Sequence, residues 1–147
     1  MIIAVDIIGI SKPKQGLLIR DTIEQALLHL LPRRRLPILI DCHIALKEDL
    51  EPAKAMIHQE SNDVFFLAIS QELLENEEEL IETICHECVH IKQYLRKELL
   101  ELGRDTHRWK GKLVNSKEVE YYDLPWEKEA YKMEIELAEK VKSIKNV

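Results

Sequence analysis

The sequence predicts an α+β domain, a small mixed β-sheet packed against helices, and three observations carry that expectation. Short apolar runs rich in β-branched residues alternate with longer stretches of helical periodicity. The stretch after Asn76 continues to Leu100 without a Pro or Gly, and a second long helical pattern starts at Pro125. At 147 residues the chain has single-domain length, so residues 1–147 are expected to share one core.

Each element has a local cause. Ile2 to Ile8 is a β-rich apolar run ended by Gly9 and reads as a strand. Gly16 to Leu31 places Leu17, Leu18, Ile23, Leu27, Leu28 and Leu31 at helical steps before Pro32 stops it. Pro37 opens Ile38 to Leu46, where Ile38, Ile40, Cys42 and Ile44 alternate as in a strand. Lys54 to Gln59 is a weaker strand, and the Ser61-Asn62-Asp63 turn signal precedes the clearest one, Val64 to Ile69. Asn76 then caps the long helix, with Glu77, Glu78 and Glu79 in the first turn, where the helix dipole favours anions. After Gly103, the run from Trp109 to Tyr121-Tyr122 has room for a small hairpin, and the last helix follows Pro125.

Composition narrows the functional classes. A hydrophobic fraction of 46% and a charged fraction of 33% fit a globular protein. The net charge of −6 argues against a general nucleic-acid-binding surface, and Arg33-Arg34-Arg35 reads as a solvated loop. No stretch approaches the roughly 18 apolar residues of a membrane span, and Met1 to Ile10 lacks the features of a signal peptide. Three cysteines argue against a disulfide framework. A cytoplasmic protein without membrane or nucleic-acid partners is the expectation, its oligomeric state open.

The most specific chemistry is His86-Glu87-Cys88-Val89-His90, an H-E-x-x-H pentad inside the long helical stretch. Residues four apart lie one turn apart on one helix face, so both imidazoles can point at one metal ion. Glu87, turned by about 100°, can reach a water on that ion and act as general base. Zinc lowers the pKa of such a water to about 7. Ile81, Ile84, Cys85, Cys88, Ile91 and Leu95 form a separate apolar surface, which makes Cys85 and Cys88 core residues rather than ligands. Gln93 is either a support for a ligand or a surface residue.

A catalytic zinc site takes three protein ligands and keeps a place for water. Ala130, Met133, Leu137, Val141 and Ile144 mark the inward face of the last helix, and Glu127 continues it. Glu127 is therefore the expected third ligand. Glu129, offset by about 200°, is expected to face solvent. His107 and Glu129 are the rivals. One zinc ion per chain is expected, although manganese, nickel or cobalt suit the same ligand types.

Thr83 to His90, then Trp109-Lys110-Gly111, then Pro125-Trp126-Glu127-Lys128-Glu129-Ala130-Tyr131 resemble the small gluzincin-type metallopeptidases of bacteria and phages. The resemblance covers about half of the chain, from Val64 to Tyr131. It implies a minimal zincin-like fold in which His86, His90 and Glu127 hold zinc between the pentad helix and the C-terminal helix. It also implies peptide-bond hydrolysis, with a peptide or protein substrate lying along Val64 to Ser70 as an edge strand. Gln93 and Arg96 stand where metzincins carry glycine and histidine, so that assignment fails. Nor does the chain have room for the second, helical domain of larger gluzincins. Hydrolysis also needs an oxyanion donor: Tyr131, one turn after Glu127, is the first choice, with Tyr121 and Tyr122 as alternatives. The competing reading is a non-catalytic binding or regulatory module whose metal is structural.

Overall fold

The structure, a computed structural model, describes residues 1–145. In chain order it contains β1 (Ile3–Ile8), α1 (Pro13–Leu30), β2 (Ile38–Ala45), the short α2 (Lys47–Leu50), β3 (Ala55–Ser61), β4 (Val64–Ser70) and α3 (Glu77–Leu95). Then come β5 (Leu99–Glu101), β6 (Thr106–Trp109), β7 (Lys112–Asn115) and α4 (Pro125–Lys145). A mixed sheet packed against helices is therefore the architecture, as the sequence predicts.

The first sheet has the order β1-β2-β4-β3. β1, β2 and β4 are parallel, and β3 folds back antiparallel on β4 through the Asn62-Asp63 turn. Alternation sends Val5, Ile38, Ile40, Cys42, Phe65, Leu67 and Ile69 to one face, where they meet buried residues of α1, α3 and α4. The opposite face is open, with Leu39 and Met56 46% and 43% exposed. Val64–Ser70 is thus not an edge: its neighbours are β2 and β3, which take both sides of its backbone. The free edge beside the pentad helix belongs to β3.

Helix α3 begins as expected, with the Asn76 side chain accepting from the Glu79 N–H at 3.1 Å. It stops at Leu95, short of Leu100. Lys97 adopts φ 57°, and the N–H groups of Lys97 and Glu98 return to the carbonyls of Tyr94 and Gln93 at 3.0 and 2.9 Å. This is a Schellman closure made without glycine, and it frees Leu99 to start β5.

β5, β6 and β7 form a separate antiparallel sheet. The hairpin turn sits at Lys110-Gly111, both with positive φ (49° and 88°), between Trp109 and Lys112. Tyr121 and Tyr122 lie outside the hairpin, in a 3₁₀ turn that leads into α4. Among the described residues no helix is long and apolar enough to cross a membrane.

Candidate metal centre

Helices α3 and α4 pack against each other so that His86, His90 and Glu127 meet, all three buried. Glu127 Oε1 lies 3.0 Å from His86 Nε2 and 3.2 Å from His90 Nε2. The three ligand atoms fall within 4.8 Å of one another. Two donors bound tetrahedrally at about 2.0–2.1 Å are about 3.3 Å apart, so the spacing fits one ion. Ala130 is fully buried one turn-length after Glu127 and presents no bulk to hold the helices apart.

The two imidazoles and the carboxylate shift one another's protonation. Burial alone would lower the His86 pKa, but hydrogen bonds to Glu127 and Glu134 outweigh it and raise it to about 9. His90 moves up as well: Glu127 and the nearby Glu87 charge outweigh its burial. Burial works against ionised Glu127 too, yet the two imidazoles hold it down at about 2. A divalent cation held by the group would take the place of protons on the imidazoles. The described group could hold a metal ion.

The partners of the outer ring nitrogens fix which nitrogen is offered. Gln93 is completely buried. Its Nε2 donates to the Trp126 carbonyl at 3.0 Å and to Glu129 Oε1 at 3.1 Å. A carbonyl can only accept, so the amide orientation is determined. Gln93 Oε1 therefore faces His90 Nδ1 at 2.8 Å, and Nδ1–H must be the donor. The Nε2 lone pair of His90 is left for a metal. On the outer side of His86, Glu134 Oε1 lies 3.5 Å from Nδ1 as an ion-pair partner.

Glu129 does not face solvent. It accepts from Lys92 at 2.9 Å as well as from Gln93, and buried Lys92 also pairs with Glu98 at 2.8 Å. This polar network ties the first turn of α4, which carries Glu127, to the end of α3. Glu129 is thus a support rather than a ligand. His107 stacks on Trp126 with ring centroids 4.8 Å apart and does not belong to the three-residue group. Cys85 and Cys88 are fully buried in the main core, and burial raises both thiols, Cys85 to about 12.

Glu87 borders a cavity of about 260 Å³ together with His90 and Glu127. Burial raises its pKa against the pull of the two histidines. Tyr121 is on the wall of that cavity, whereas Tyr131 covers His86, with ring centroids 4.5 Å apart. Tyr122 lies behind Tyr131 at 5.5 Å. Sequence reasoning missed Glu134 and Lys92. Glu134 had a readable signal, seven residues after Glu127 and so on the same helix face. Comparison with protein-family models, curated proteins and solved structures finds no match for this chain.

Proposed function

We propose that this protein is a zinc-dependent peptidase, with His86, His90 and Glu127 as ligands and Glu87 as general base. The supporting observation is a buried carboxylate, Glu87, on the cavity wall beside a His-His-Glu group, where a purely structural metal needs no base. Two imidazoles and a carboxylate favour zinc. The ion would supply a Lewis acid that polarises the carbonyl and acidifies water. Glu87 would take the proton of the attacking water and return it to the leaving amine, a task suited to a carboxyl on the cavity wall whose pKa is raised by burial. Tyr121 on the cavity wall and Tyr131 over His86 are the hydroxyls available to the oxyanion. The free cysteines, all buried, accord with a cytoplasmic setting.

Metal content and peptide hydrolysis, measured together, test the reading. Wild type should retain one zinc per chain and hydrolyse an unstructured protein substrate. Glu87→Gln should keep the zinc and lose hydrolysis by a factor of at least about 10², whereas Glu127→Ala should lose both. Equal turnover by wild type and Glu87→Gln would sink the mechanism.

A further inference from the structure

We infer that a substrate chain in extended conformation inserts between two unpaired strand edges, that of β3 on one side and that of β5 on the other. The second sheet is then half of the substrate groove. The inference rests on the peptidase reading of the metal centre and adds a wall to it. β3 is terminal in the four-stranded sheet and β5 is terminal in the three-stranded one. Ala55 and Ile57 border the cavity at the metal centre with Leu99, and Gln59 borders an adjoining cavity with Leu99 and Glu101. Tyr94 belongs to both cavities and donates to Glu101 at 2.9 Å.

The register determines which backbone groups are free. In an antiparallel pair alternate residues turn their N–H and C=O toward the partner strand. The Ser70 N–H donates to the Lys54 carbonyl at 2.9 Å, so Lys54, Met56 and His58 face β4. Ala55, Ile57 and Gln59 therefore turn their backbone groups outward. In the other sheet Lys110 N–H donates to Glu98 and Leu102 N–H to Thr106, at 2.8 and 2.9 Å. Leu100 thus faces β6, and the backbone groups of Leu99 and Glu101 point away from it. All five outward-turned residues border the two cavities.

That arrangement selects the occupant. A strand has N–H and C=O groups on both sides and satisfies both edges, which a small anion or an isolated apolar side chain cannot. The groove also leads to Glu87, His90 and Glu127, so an inserted chain is delivered to the metal centre. At about 3.3 Å per residue, the stretch from Ala55 to Gln59 matches about five substrate residues.

The test is a backbone N-methyl scan of a bound peptide. Val-Thr-Val-Thr-Val carrying a hydroxamate at either end is titrated into zinc-loaded Glu87→Gln protein, with acetohydroxamate as the reference. The peptide should bind at least about tenfold tighter than acetohydroxamate, and N-methylation at each successive position should weaken it about fivefold. A pattern in which every second N-methyl group is harmless would mean one edge only and overturn the role of β5. No gain over acetohydroxamate would overturn the groove while leaving the metal centre standing. Failure of acetohydroxamate itself would remove the metal reading and the groove with it. On the protein side, Glu101→Pro removes an outward N–H without breaking the β5–β6 ladder and should cost about fivefold, whereas Glu101→Ala retains that N–H and should keep the peptide's gain. Equal binding by the two variants would also overturn the inference.

Discussion

At the residue scale, Gln93 shows how a candidate metal centre is ordered by a group outside the His-His-Glu set. Its amide nitrogen is committed to Trp126 and Glu129, and its oxygen accordingly holds His90 in one tautomer. Gln93→Leu should lower zinc affinity about 10–100-fold, measured by chelator competition. The cobalt-substituted spectrum should change with it, because the His90 ring loses its anchor. An unchanged spectrum and affinity would mean that packing alone orients the ring. The three-residue group itself was legible in the sequence: the pentad spacing puts His86 and His90 on one helix face, and helix phase carries Glu127 inward to meet them. Gln93 was only half legible, since a glutamine near a helix end has no periodicity that separates support from surface. Glu129 was misread because its partner Lys92 is buried, and lone buried lysines have no sequence signature.

At the element scale, the contact between α3 and the first turn of α4 is electrostatic as well as apolar. Burial raises the pKa of Glu129, but the hydrogen bonds from Lys92 and Gln93 outweigh it, and the result is a lowered value. A lowered folded pKa contributes stability above the unfolded value, about 4.3, and that contribution fades as pH falls through the folded value. Glu129→Gln should therefore melt below wild type at neutral pH, with the gap closing on acidification below about 4. A gap that is constant with pH would assign the effect to packing. Element types and order were readable from periodicity, but strand order was not. β4 sits inside the sheet because β3 turns back onto it, and local sequence does not say on which side a hairpin partner lies. The early end of α3 was hidden for a related reason: Lys97 takes the left-handed position that sequence reading expects of glycine.

At the scale of the whole molecule, the main core is apolar packing of the first sheet against α1, α3 and α4. Ile19, Ile23, Phe65 and Leu67 of that core belong to α1 and β4, neither of which carries a candidate ligand, so the fold is expected to survive the loss of an ion from the His-His-Glu group. Chelation should leave far-UV circular dichroism nearly unchanged and lower the melting temperature in proportion to the zinc binding free energy. Complete unfolding on chelation would instead support a structural metal. The ligands also differ in chain position: His90 and Glu127 are 37 residues apart, and β5, β6 and β7 lie entirely between them. An ion held by both residues closes that stretch into a covalent-like ring and restricts it as a cross-link would. Amide hydrogen exchange should then divide the molecule unevenly on metal removal, accelerating in Leu99–Asn115 while β2 and β4 stay protected. The small sheet would then be the chain's own gauge of whether the His-His-Glu group holds an ion.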